Sequence, residues 1–257
     1  NTLNPTGVGN ITIANALSFN NTGPQAATLS LIADNGIWVN AAVNTATAST
    51  GLVHINMTAN GNFQGNTAAS PNSRGLTLNA GITTNGNITL TGNNQSGATD
   101  GTGAGVTNNG QTINAGTSDV TITGTATNGT GLFTGNNTTI RGRNITINGT
   151  SNTTASNRSG IGVHLFRDGT TNIHAANNLA ITGTISGLGT GNGLSSRGGN
   201  HSTAVLVSAG GTATLRAIQR GNANNTTSAM YLSGFRVNAT GDVTLQAEAA
   251  SSNSLAI

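Results

Sequence analysis

The sequence predicts an all-β fold, a right-handed parallel β-helix (solenoid) of about nine coils running through residues 1–257. Three observations predict it. A short phrase recurs at intervals of 25 to 34 residues, apolar and polar residues alternate inside that phrase, and the composition suits short strands joined by tight corners.

The composition is far from that of an ordinary globular domain. Only 6% of the residues are charged and 3% aromatic, while glycine fills 38 positions. A typical domain is roughly 25% charged. Disorder would bring high net charge and few β-branched residues. Here Thr, Val and Ile are abundant and there are only three prolines. Such a mixture favours strands broken by Asn/Gly turns.

The phrase has nine residues: apolar, any, small, any, Gly or Asn, polar, apolar, any, apolar. Its clearest copies are Leu31–Val39, Ile82–Leu90, Ile173–Ile181, Val207–Leu215 and Val237–Leu245. Met57–Gly65 is a weaker copy, Ile113–Ile122 carries one extra residue and Ile140–Ile147 one fewer. Aligned on the seventh position, the copies give Ile11, Ile37, Phe63, Ile88, Val120, Ile145, Leu179, Ala213 and Val243. Alternation with period two is the signature of a strand, and the central Asn-Gly or Gly-Asn marks a corner. Gly-led segments such as Gly75–Leu78, Gly105–Thr107, Gly131–Phe133 and Gly160–Val163 open the next coil. Each coil therefore offers three short strands and an adjustable loop.

One such coil cannot bury its own apolar face, but stacked coils can. They rise by one strand spacing of ~4.8 Å, so nine coils make a rod of order 40 Å. Equivalent Asn, Thr and Ser positions would stack as ladders at the corners. Parallel crossovers favour the right hand, and a propeller blade needs about 40 residues or more. Residues 1–103 read as the more regular coils. Residues 104–257 carry longer loops and eight of the nine arginines. The chain opens at Asn1 inside a repeat and reads as an internal piece of a longer protein.

The segments GNITIANALSFN, GITTNGNITLTG, AGVTNNGQTINAGTSDVTITGTATNGTG and VNATGDVTLQAEA resemble the repeats of two-partner-secretion exoproteins. These are the filamentous haemagglutinin and high-molecular-weight non-pilus adhesin type. The resemblance is a repeat texture over the whole chain, closer to the high-molecular-weight adhesins. It implies a β-helical passenger exported through the outer-membrane transporter of a two-partner system and held at the bacterial surface. It further implies attachment to host epithelial cells through cell-surface glycans, often sialylated. About sixteen Asn-x-Ser/Thr triplets occur, and an Asn/Thr-rich chain makes many of them by composition alone. The resemblance implies hexoses on some; Asn87, Asn128, Asn144, Asn148, Asn152 and Asn238 are the acceptors singled out.

The arginines carry the functional expectation. All nine basic residues are Arg, for a net charge of +3. Repeat spacing lengthens where they cluster, and insertions in repeat proteins map to loops that often form the binding face. Arg141, Arg143, Arg158, Arg167, Arg197, Arg216, Arg220 and Arg236, with His201, form the candidate ligand set. The planar guanidinium fork matches carboxylates and sulfates, so sialylated or sulfated glycans suit it. Scattered arginines that merely keep a charge-poor rod soluble are the bland alternative. Trp38, Phe166 and Tyr231 are aromatic candidates for sugar contact, each weighed against simple packing.

Other chemistries find little support. Without cysteine there is no thiol nucleophile, disulfide or zinc–thiolate cluster. His54, His164, His174 and His201 show no metal-ligand spacing, although His164 and His174 could approach one another. The six acids form no pair for hydrolysis and no calcium repeat. No enzyme, cofactor or metal is expected. A charge of +3 along a rod gives a weak field for nucleic acid, and no apolar run reaches the ~18 residues of a membrane helix. Two functions remain: an extracellular adhesin segment that binds anionic host glycans, or a structural spacer that holds another tip away from the cell.

Overall fold

The computed structural model describes residues 9–61, 75–95, 103–154, 159–166, 169–188, 190–196, 205–220 and 228–249. They form twenty-four strands and no helix. The strands come in rounds of three. The first is β1 (Ile11–Ile13), β2 (Leu17–Phe19) and β3 (Ala27–Ala33), and the second β4 (Ile37–Val39), β5 (Val43–Thr45) and β6 (Val53–Ala59). Then come β7 (Leu76–Leu78), β8 (Ile82–Thr83) and β9 (Ile88–Asn94), followed by β10 (Ala104–Asn108), β11 (Thr112–Asn114) and β12 (Val120–Thr127). The fifth and sixth rounds are β13 (Thr130–Thr134), β14 (Thr139–Gly142), β15 (Ile145–Thr153), and β16 (Ser159–Leu165), β17 (Thr171–Ala175), β18 (Leu179–Gly187). The last two are β19 (Thr190–Ser196), β20 (Val205–Ala209), β21 (Ala213–Gln219), and β22 (Met230–Leu232), β23 (Phe235–Ala239), β24 (Val243–Ala249).

Each round gives one strand to each of three parallel eight-stranded sheets. The first sheet runs β1-β4-β7-β10-β13-β16-β19-β22, the second β2-β5-β8-β11-β14-β17-β20-β23, and the third β3-β6-β9-β12-β15-β18-β21-β24. The all-β solenoid expected from the alternation is therefore present, with eight strands per sheet among the described residues.

The pairing register corrects the sequence alignment. Ile11 and Ile37 pair with each other and then with Leu76, in the first sheet. Ile88, Val120, Ile145, Leu179, Ala213 and Val243 form a column in the third sheet, and its earlier members are Ile55 and Leu29. Phe63 lies outside the described residues. The same phrase decorates two corners. Leu31–Val39 turns from the third sheet into the first, whereas Ile82–Leu90 and the later copies turn from the second into the third. Both corners need an αL-tolerant pair between alternating strands, so alternation alone cannot distinguish them. The step from Ile55 to Ile88 is then 33 residues (88 − 55), against 26 (55 − 29) for the step before it. The step length therefore varies from round to round.

Inward residues close a narrow core. In β12 and β15 every second residue is buried, and the residues between are half-buried except the exposed Asn152. Ile55, Met57, Ile88, Leu90, Ile122 and Ile147 are fully buried, as are Ile181 and Leu215 further along. Each such side chain contributes ~1.5–3 kcal/mol by leaving water.

One inward column is deliberately small. Gly92, Gly124, Gly149 and Gly183 stack in the third sheet, and Ala217 follows. They face Gly105, Gly131, Gly162 and Gly193 of the first sheet. A Cβ on Gly124 would lie 2.1 Å from the Gly131 carbonyl oxygen, and one on Gly149 2.1 Å from that of Gly162. For Gly92 against Gly105 and Gly183 against Gly193 the distance would be 2.0 Å. Backbone meets backbone there, and no side chain fits.

Corner ladders follow the expectation. Asn109 donates to Asn79 at 2.6 Å, and Asn79 to Asn40 at 2.8 Å. At the corner before the third sheet, the Asn87 side-chain oxygen accepts from the Asp119 backbone N–H at 3.0 Å. Asp119 accepts in turn from the Asn144 N–H, Asn144 from that of Asn178, and Asn178 from that of Thr212. Each side chain caps the backbone of the next round.

Gly149→Val should destabilise the protein by about 1–3 kcal/mol or more through overpacking. Thr150→Val, one residue along and facing outward, should change stability by less than about 0.5 kcal/mol. Urea denaturation of the two variants checks this.

Candidate functional site

In-register parallel strands stack outward side chains in columns at ~4.8 Å intervals. On the second sheet two adjacent columns carry the chemistry. One reads Thr112, Thr139, Asn172, Leu206, Arg236; the other reads Asn114, Arg141, His174, Ser208, Asn238. Between them run inward-facing Ile140, Ile173 and Val207, all buried. The columns bound an open groove of about 760 Å³, from Arg141 at one end to Arg236 and Asn238 at the other. Its floor includes Ile173, Val207 and the half-exposed Leu206. The His174 ring Nδ1 and Ser208 Oγ lie 2.7 Å apart across one strand spacing.

Among the described residues the groove is lined by two arginines and no carboxylate. Arg141 and Arg236 are exposed and have no acidic partner among the described residues. Two other arginines of the expected set are neutralised. Arg143 holds Asp119 in a two-pronged bridge, Nε to Oδ1 at 3.0 Å and Nη2 to Oδ2 at 2.8 Å. Arg216 bridges Glu248 on the neighbouring strand through Nε at 3.1 Å and through Nη2. Arg220 follows the end of β21, exposed, with its backbone N–H bonded to the Ile185 carbonyl at 2.8 Å. Arg158, Arg167, Arg197 and His201 lie outside the described residues. The structure thus brings together Arg141 and Arg236 and leaves Arg143, Arg216 and Arg220 outside the groove. The sequence reading missed His174, Ser208, Asn172 and Leu206 as their neighbours. Only the register, which places residue i of one round over its counterpart in the next, could have found them.

The aromatic candidates sit elsewhere. Trp38, Thr77, Thr107, Phe133, His164, Ser195 and Tyr231 form an outward column on the first sheet. Phe133, His164 and Phe166 pack as a trio with ring centroids 5.4 to 5.7 Å apart. His164 and His174 therefore do not approach one another; they stand on different sheets. Trp38 is half-buried and Tyr231 exposed. No group of three or more potential metal ligands occurs among the described residues.

The six sequon asparagines differ in setting. Asn128 is buried in the left-handed region, φ 59°, and its Oδ1 accepts from Thr154 N–H at 2.8 Å. Asn144 donates its amide to Asp119 Oδ1 at 3.0 Å. Asn87 serves the same corner ladder. Asn148 stacks half-buried between Thr123 and Thr182. Asn152 is exposed and accepts from Ser186 Oγ. Asn238 is exposed at the groove's end.

No protein-family model matches the chain, and neither the comparison with curated proteins nor that with solved structures gave a match.

The Arg143 guanidinium, with help from Asn144, holds the Asp119 carboxyl at about 2, below its ordinary 3.8. A lowered folded-state value means that the ion pair contributes above the ordinary value and is lost as pH falls towards 2. Both groups are substantially exposed, so the effect on stability is small. Arg143→Ala should move the Asp119 titration upward, as read from its side-chain carboxyl carbon by NMR.

Proposed function

We propose that this chain is a segment of a right-handed parallel β-helix of about nine coils that serves as a bacterial adhesin. It belongs at the cell surface or in the secreted fraction, as part of a two-partner-secretion exoprotein, and it binds anionic glycans of host epithelial cells. The observation that carries this reading is the second-sheet groove, where Arg141 and Arg236 have no acidic partner among the described residues. Sialic acid carboxylates or sugar sulfates would supply the missing charge through forked, charge-assisted hydrogen bonds. Flanking Asn172, His174, Ser208 and Asn238 offer neutral donors and acceptors for sugar hydroxyls. We read the groove as a binding site without turnover, needing no cofactor. The repeat texture supports the family reading, and regular columns from end to end suit a rod built for display.

A glycan array probed with the unglycosylated chain, at low and physiological salt, tests this. Selective retention of sialylated or sulfated glycans is expected, weakening with salt. Arg141→Gln and Arg236→Gln should each reduce binding about tenfold or more, the scale of a lost charge-assisted hydrogen bond. Arg143→Gln, whose partner is Asp119, should leave binding unchanged. A blank array would turn the reading to a structural spacer with no ligand of its own.

A further inference from the structure

We infer that the groove takes an extended anionic polysaccharide, gripped at two separated charges along the rod, and not a single terminal acidic sugar. This rests on the glycan-binding reading above. Arg141 stands on β14 and Arg236 on β23, with β17 and β20 between them. Three strand spacings separate the two rows, about 14 Å along the axis. The arginines also occupy different columns, two residues apart along the strand. The line joining them therefore crosses the groove on a diagonal.

That separation decides the ligand class. It exceeds the screening distance of about 8 Å at physiological salt, so the two guanidiniums act as separate subsites. Each fork needs its own anion to complete a two-pronged contact. One carboxylate can satisfy Arg141 or Arg236 but not both. A chain of sugars bearing repeated carboxylates or sulfates can satisfy the two at once.

The surface between the arginines fits such a chain. Asn172 and His174 on β17 and Ser208 on β20 present neutral polar groups between the arginines, and no acid among the described residues lines the groove to repel an anionic backbone. The contact between His174 Nδ1 and Ser208 Oγ fixes the imidazole and leaves Nε2 for a ligand. Leu206 is 38% exposed midway along the groove, where it offers an apolar platform to the CH face of a sugar ring. Stacked strands repeat at a fixed interval, so a polymer running along the groove meets a new pair of side chains at each strand spacing.

Titration calorimetry with a length series of unsulfated oligouronates tests this, alongside a sialylated trisaccharide. Affinity should stay low for short oligomers and rise about tenfold once the chain reaches from one arginine to the other. Arg236→Gln should abolish that rise, so that the longest oligomer binds the variant no more tightly than the short ones do. Statistical rebinding on a longer polymer would instead persist in Arg236→Gln. Far-ultraviolet circular dichroism and thermal unfolding establish that the variant is folded. If the trisaccharide binds as tightly as the longest oligouronate, or if Arg236→Gln retains the rise, the inference fails and the glycan-binding reading stands. If no acidic glycan binds at all, both fall.

Discussion

Gly124, Gly149 and Gly183 bring the third sheet against Gly131, Gly162 and Gly193 of the first, carbonyl to α-carbon. That approach, repeated round after round, keeps the cross-section narrow and constant. A wider section would leave Ile122 and Ile147 with voids beside them, and voids in a core of single side chains have no neighbours to close them. The scarcity of aromatics follows from the same limit. Among the described residues Trp38, Phe133 and Tyr231 share one first-sheet column with Phe166 beside Phe133, whereas Phe19 and Phe235 pack partly buried against the core in the first and last rounds.

Constant section permits exact stacking of like on like, and stacking converts sequence into columns. A residue type repeated at the right interval becomes a line on the surface. The corner line of Asn87, Asp119, Asn144 and Asn178 is structural, each side chain capping a backbone N–H of the next round. The lines on the second sheet are different in kind. Arg141, His174, Ser208 and Asn238 make one hydrogen bond to each other, between His174 and Ser208, and otherwise face outward. Charge on this molecule is scarce, so its placement carries weight. Arg143 and Arg216 are neutralised by Asp119 and Glu248, whereas Arg141 and Arg236 share a groove with no acid among the described residues.

Much of the fold was legible in the sequence because its period-two alternation and Asn/Gly corners are local signals. The three strands per round, the corner ladders and the Gly-led strands could all be read from single segments. Register was not legible, because the phrase Leu31–Val39 looks like Ile82–Leu90 although the two turn different corners. Ile11 and Ile37 were thereby assigned to the column of Ile88 when Leu29 and Ile55 occupy it. The candidate site suffered from the same blindness. Arginines could be counted, but the pairing of Arg143 with Asp119, 24 residues away, depends on which residue sits above which. His174 was weighed as a metal ligand, and its role beside Arg141 emerges only from the strand pairing.

The corner line has a direction. Its side-chain oxygens all point toward later rounds and receive N–H groups that come later in the chain. At this corner each round therefore offers a side-chain oxygen to the backbone of the round after it. On the last described strand Val243 and Leu245 lie 47% and 46% exposed, an apolar edge in the column that is buried in the earlier rounds. Register at this corner is therefore specified with a polarity along the axis, each round fixing the height of the one after it.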